Sequence, residues 1–307
     1  MAYPVLVADC LRAQAGRTPV TTSTTAGPTV RRILVGAQLR RLREERGISR
    51  DDAGYVIRAS GSKISRLELG RVSFKERDIA DLLTYYGVED VAQREALLDL
   101  ARDANTPGWW HDYDDVLASW FQTYVGLEEA AALIRCYEVQ FVPGLLQTED
   151  YARSVIVAGR PELRAEEVER RVGLRLERQK VLSRPHHPVQ FWAVVDEAAL
   201  RRPIGGAKVM RGQIQHLLNL YDRSNVTVQI MPFRFGGHAA EGGAFSILRF
   251  PEPDLPDVVY VEQLVSALYL DKREHVDRYL ETMNRLTVDS QPPEISSETL
   301  QKLLTRV

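Results

Sequence analysis

Residues 59–70 (ASGSKISRLELG) constrain this chain more than any other stretch, because polar and apolar positions separate cleanly on a short helix. Ile64 and Leu67 lie three apart on one face, while Ser62, Lys63 and Arg66 share the opposite one. Ser60 is placed to cap this helix and Gly70 to end it. A small helical module over 31–87 would bury the apolar face and leave outward side chains that reach phosphates and base edges. The pattern therefore predicts a helix that enters DNA. Arg66 is expected on a base edge, most naturally guanine, with Ser62 and Ser65 near it and Arg50, Lys63 and Arg71 on phosphates.

The flanking residues supply the rest of that module. Val35, Leu39 and Leu42 form a stripe at spacings of four and three, predicting a helix over 32–46 that ends at Gly47. Ser49 is placed to cap a second helix, with Asp51 and Asp52 in its first turn and Ala53, Val56 and Ile57 inward. Gly54 costs about 1 kcal/mol relative to Ala in a helix, which predicts a close approach by the DNA-reading helix. Helices over 75–86, with Ile79, Leu82 and Leu83 inward, and over 91–101 complete the bundle. Thr106-Pro107-Gly108 marks a boundary.

Charge is distributed as this reading requires. The net charge is -2 over 307 residues, yet residues 31–77 hold 13 Lys+Arg against 6 Asp+Glu, a balance of +7 that leaves -9 elsewhere. A basic head on an acidic body is the footprint of a DNA-binding module attached to something else. No apolar run approaches the roughly 20 residues that span a bilayer, and Cys10 and Cys136 make no disulfide framework. A cytoplasmic protein is expected.

Four segments follow: a flexible tail over 1–29, rich in Thr, Ser, Gly and Pro; a DNA-binding domain over 30–105; a sheet-containing domain over 106–290; and a tail or short helix over 291–307. In the third, apolar runs at 134–139, 189–195, 226–231, 245–250 and 258–261 predict strands, and 128–132, 149–158, 165–182, 208–224 and 274–286 predict helices. The expected fold is an all-α N-terminal bundle followed by an α/β (α+β) domain.

Residues 38–43 (QLRRLR), 48–50 (ISR) and 62–71 (SKISRLELGR) resemble the phage-repressor or xenobiotic-response-element type of helix-turn-helix. Departures are Arg50, where Gln is usual, and Arg58, where a turn Gly is usual. Residues 108–290 resemble the C-terminal domain of actinobacterial regulators, a domain of unknown function sometimes labelled antitoxin-like. The motifs are 108–110 (GWW), 120–128 (WFQTYVGLE), 142–148 (VPGLLQT), 175–179 (RLERQ) and 259–262 (VYVE). The resemblance implies regulators of development and antibiotic production in filamentous actinobacteria, often encoded beside a small partner protein.

Each candidate outside the DNA-reading helix has a plainer reading beside it. Trp109, Trp110, Trp120, Phe121 and Tyr124 fit a partner groove or, more simply, the core under the domain's first helix. Arg171, Arg175 and Arg178 form one basic helical face, a solvated surface by default and, with Gln179, an anion or acidic-partner site otherwise. The Gly-rich run 236–243 lacks the Gly-Lys-Ser/Thr ending of a phosphate loop and reads as a connection. Glu197 and Glu262 follow strands, where α/β domains place ligand groups. No His-Glu-x-x-His or Gly-x-Ser-x-Gly is present, so no catalytic residue, metal or cofactor is assigned.

Two functional classes remain. One is a homodimeric transcriptional regulator on a pseudo-palindromic operator, its C-terminal domain receiving a small protein encoded nearby or a ligand. The alternative is a DNA-tethered enzyme whose active site is non-local. A polar pocket with perturbed carboxylates favours the second, an exposed apolar face the first.

Overall fold

A computed structural model describes residues 28–252 and 255–306. The tail expected at 1–29 thus lies outside the described residues except for its last two positions, which are helical; Cys10 lies outside them as well.

The N-terminal part is a bundle of five helices: α1 Pro28–Glu45, α2 Arg50–Val56, α3 Gly61–Glu68, α4 Glu76–Tyr85 and α5 Val91–Ala104. Caps set the boundaries locally. The Ser49 hydroxyl accepts from the Asp52 N–H and the Ser60 hydroxyl from the Lys63 N–H. Between α2 and α3 the turn passes through Arg58 at φ 53°, a left-handed conformation that a glycine would adopt without strain. Gly54 is required for packing: a Cβ there would stand 2.6 Å from the Ala59 carbonyl oxygen, in the turn that leads into α3. Val35, Leu39, Ala53, Ile64, Leu67, Ile79, Leu82 and Leu83 fill the core.

The first helix begins earlier than its apolar stripe suggests, because its N-terminal turns belong to the other domain. Thr29 and Val30 are buried, and Val30 joins the main core of the C-terminal domain with Ile33 and Leu34 against it. The partner surface is α6 Ser119–Ala130. A Cβ on Gly126 of α6 would fall 1.9 Å from the Thr29 hydroxyl, so only glycine admits this crossing. The helix expected over 128–132 is therefore the end of a longer one.

The C-terminal domain is built on a six-stranded mixed sheet in the order β3-β2-β1-β4-β5-β6. Its strands are β1 Leu133–Glu138, β2 Gln190–Asp196, β3 Val226–Met231, β4 Phe245–Arg249, β5 Val258–Glu262 and β6 Ala267–Leu270. β1, β2 and β3 run parallel, joined by α7 Glu149–Gly159 and α8 Ala165–Gln179, then α9 Glu197–Arg201 and α10 Ala207–Leu220. β4, β5 and β6 form an antiparallel meander beside β1. Both faces are covered. Ile134, Cys136, Phe191, Ala193 and Val195 face the core shared with α7 and α10, while Tyr137, Val194 and Val259 face α11 Arg273–Asp289. That explains the near-continuous apolar runs.

α12 Pro293–Leu304 brings Leu300 and Leu303 into the main core. Beside it the edge of β3 is closed: the Ile230 N–H donates to Ser296 Oγ at 3.0 Å and its carbonyl accepts from the Gln291 N–H at 2.9 Å. The opposite edge, β6, is flanked by Leu264 and Val265, 93% and 79% exposed.

A glycine controls the seating of α1 on α3. A Cβ on Gly36 would lie 2.5 Å from the Leu67 carbonyl oxygen and 2.6 Å from that of Glu68. Gly36→Ala is expected to destabilise the bundle by roughly 1–3 kcal/mol despite the better helix propensity of Ala, seen as a lowered urea midpoint. An unchanged midpoint would contradict the tight crossing.

Candidate functional site

The candidate DNA-reading surface stands on a buried ion pair. Arg43 on α1 and Glu68 at the end of α3 are both buried, and the guanidinium grips the carboxylate through two nitrogens, NH2 at 3.1 Å and a shorter bond from Nε. Arg43 NH1 donates to the Ile48 carbonyl at 2.8 Å, tying in the loop before α2. The bond to Glu68 raises the Arg43 pKa, against the opposing pull of burial. The helix pattern does not single out these two residues. Their signal is positional: Glu68 shares a face with Ile64, and Arg43 lies four residues after Leu39, each a charge on an apolar stripe.

With α3 locked on its inner face, its outer face carries the expected side chains in unequal states. Ser62, Arg66 and Arg71 are exposed, and Ser65 is half-buried. Arg66 Nε lies 3.4 Å from the Ser62 carbonyl, a loose contact that leaves the guanidinium outward. Lys63 is committed elsewhere, with Nζ 2.8 Å from Asp78 Oδ2 of α4. Arg50 is exposed but sends Nε to Glu68 Oε2 at 3.2 Å, a third contact on that carboxylate side chain.

In the C-terminal domain the expected partner surface is rearranged. Trp110 is 2% exposed and packs with Leu117, Val125 and Leu174; Trp109 meets it edge-on at 5.9 Å and donates Nε1–H to Glu129 at 3.1 Å. Trp110 is thus a core residue. Phe121 stacks on Tyr124 at 5.2 Å, and Tyr124 meets Tyr260 at a tilt of 36° with ring centres 4.2 Å apart. The basic face of α8 is not a solvated surface. Arg178 is buried and forks onto Glu128 of α6 at 2.7 and 2.8 Å, with its guanidinium 4.8 Å from the Phe121 ring centre. Arg171 NH1 donates to the Val116 carbonyl. Arg175 NH1 donates to Gln147 Oε1 at 2.8 Å, and Gln179 Nε2 to the Gly144 and Gln147 carbonyls at 3.1 and 2.8 Å. The physical reason is that α8 is enclosed on this side: Val168 and Val172 pack with Ile156 of α7, and Leu174 packs with Trp110, so Arg171, Arg175 and Arg178 turn toward the domain.

Carboxylates stand at the sheet edge where β1, β2 and β5 end. Asp196 caps α9 through the Ala198 N–H, and Glu197 holds Arg201 at 2.6 Å and the Phe233 N–H at 2.9 Å. Glu262 is exposed and accepts from the Tyr260 hydroxyl at 2.9 Å. Glu138, half-buried at the end of β1, is raised to about 8 by burial first and Glu262 second, against the pull of Arg175. Arg175 is lowered to about 10 by burial and by Arg178. Burial also pushes the Cys136 thiol well up, leaving it an inert core group. Among the described residues, no helix is long and apolar enough to cross a membrane.

A reading helix on a capped, ion-paired bundle defines a helix-turn-helix DNA-binding regulator, and residues 34–97 match the family described as Helix-turn-helix domain. Residues 121–302, more than half of the chain, match Domain of unknown function (DUF5753), and the chain belongs to that family. No curated protein matches it. No solved structure matches it either.

Removing one member of a buried ion pair leaves the other uncompensated. Glu68→Ala is expected to cost about 3–5 kcal/mol and to abolish DNA binding along with the fold of the bundle, read by urea unfolding. Glu138 gives the opposite sign. Its carboxyl keeps, when folded, a proton that the unfolded chain has already lost, so stability falls as pH rises from the ordinary carboxylate range to about 8. Glu138→Gln should flatten that slope and exceed the wild-type urea midpoint above pH 8; parallel pH profiles for the two proteins would refute it.

Proposed function

We propose that this chain is a transcriptional regulator of the phage-repressor or xenobiotic-response-element type. It acts as a homodimer on a pseudo-palindromic operator, and its C-terminal domain receives a ligand or a small protein encoded nearby. The observation that carries the reading is the outward guanidinium of Arg66, on a helix whose inner face is anchored by the Arg43–Glu68 pair. Arg66 reads a base edge with Ser62 and Ser65 beside it, and Arg50 and Arg71 meet phosphates. Lys63 joins them only by leaving Asp78.

Two reading helices about 34 Å apart give a dimer its half-site spacing. The edge strand β6 supports a dimer through the C-terminal domain: Leu268 is 54% exposed and no charged residue occurs from 263 to 270. The biological setting, development or secondary metabolism in filamentous actinobacteria, rests on the family resemblance. The basic face of α8 no longer supports partner docking, since Arg178 is buried and Arg171 and Arg175 are bonded within the domain.

Selection of binding sites from random DNA is the test. Arg66→Ala should weaken binding to the selected operator by about 1–3 kcal/mol and relax one position per half-site; an unchanged sequence preference would sink the assignment. Leu268→Lys should shift the protein from dimer to monomer in light scattering, and a wild-type chain that stays monomeric on its operator would refute the assembly.

A further inference from the structure

The turn that delivers α3 carries a side chain with no partner in the fold. Arg58 stands there at φ 53°, a conformation that glycine adopts freely and an arginine only under strain. Its guanidinium is exposed and holds nothing. Among the described arginines of the five-helix bundle, only Arg58 and Arg71 have no side-chain hydrogen bond or ion pair; the others are bonded to carboxylates or carbonyls. Backbone strain kept at one position points to a task for the side chain that causes it.

The surface beside Arg58 is hollow. An open cavity of about 970 Å³ lies between the end of α2, this turn and the end of α4, and Tyr55, Arg58, Ser60 and Tyr85 line it. Tyr55 is 86% and Tyr85 46% exposed, and neither hydroxyl has a hydrogen-bond partner among the described residues. Asp52 is the one carboxylate in the lining, and its Oδ2 is already engaged, accepting from the Ser49 hydroxyl at 2.6 Å. The cavity therefore presents three unsatisfied donors, one of them a full positive charge. Guanidinium and tyrosine hydroxyl groups are both donors to phosphate oxygens.

The position of the cavity relative to α3 selects the occupant. A reading helix enters the major groove with its N-terminal residues foremost, and the helix before it crosses the sugar-phosphate strand. The turn that joins the two faces the strand bordering the groove. Ser60, the cap of α3, lines the cavity and lies two residues before Ser62, so the cavity adjoins the face that carries Ser62 and Arg66.

We propose that this cavity seats one sugar-phosphate unit of the operator, with the Arg58 guanidinium on the phosphate and the Tyr55 and Tyr85 hydroxyls as further donors to the same strand. The contact fixes the register of α3 in the groove and reads no base. This inference rests on DNA reading by α3. It adds a contact that the phage-repressor resemblance does not carry, because glycine is usual where Arg58 stands.

The test uses the full chain and an operator selected from random DNA, with affinity read by fluorescence anisotropy. Arg58→Gly should weaken binding roughly tenfold, equally for every selected sequence, with the base preference of the wild type retained. Its urea midpoint should stay level or rise, because the strain in the turn is gone. Tyr55→Phe combined with Tyr85→Phe should weaken binding in the same way. Replacing operator phosphates singly by uncharged methylphosphonate locates the contact: at one position per half-site, the loss seen with the wild type should vanish with Arg58→Gly. Three outcomes overturn the proposal: a changed base preference in Arg58→Gly, an unaffected double tyrosine variant, or methylphosphonate losses of equal size in both proteins at every position. Unchanged operator affinity in Arg58→Gly overturns it as well and gives the cavity to a protein partner, while DNA reading by α3 stands. A wild-type chain that selects no sequence overturns both.

Discussion

One helix belongs to two cores, and the arrangement of the molecule depends on it. The N-terminal turns of α1 place Val30 in the main core of the C-terminal domain, and its later turns place Val35 and Leu39 in the core of the DNA-binding bundle. Close approach at glycines fixes it on both sides: the Thr29 side chain over Gly126, Gly36 under the last turn of α3, and Gly70 against the backbone of Arg32 and Ile33. Arg32 adds a bond to the Ala104 carbonyl at the end of α5. A continuous hydrogen-bonded helix is stiff along its length, so the bundle is not tethered by a linker but shares a beam with the sheet domain. Any rearrangement of α6 is therefore met directly by the element that holds α3.

What was legible in the sequence is what neighbours in the chain decide. The caps at Ser49 and Ser60, the stops at Gly47 and Gly70, and the strain at Arg58 are set by local backbone chemistry and appear where the residue types indicate. Five of the strands are legible because burial on both faces leaves long apolar runs. β6, an edge strand of only four residues, escapes notice because its apolar run is short. α6 is hidden because its aromatic residues, Trp120, Phe121 and Tyr124, are read as a cluster before they are read as a helix.

The functional side chains divide along the same line. Arg66 and Ser62 are exposed on α3, as the helical period requires. Arg178 misleads, because a charged residue is rarely fully buried without a partner, and its partner Glu128 lies 50 residues away on a different helix. The row of Cys136, Ser246 and Tyr260 has no sequence signature at all, since it exists only once three strands are in register.

The Lys63–Asp78 bond has a consequence for the energetics of DNA association. Each phosphate neutralised by a free cation releases condensed counterions, and the logarithm of affinity falls with that of salt by about 0.9 per phosphate. A lysine already neutralised by its own protein exchanges one anion for another. Its arrival at a phosphate leaves Asp78 bare, and the cation recruited to that carboxylate offsets the one set free from DNA. On the phosphate contacts proposed above, the ionic-strength dependence of binding would count fewer charges than the basic residues on the reading surface, and a larger share of the affinity would persist at high salt.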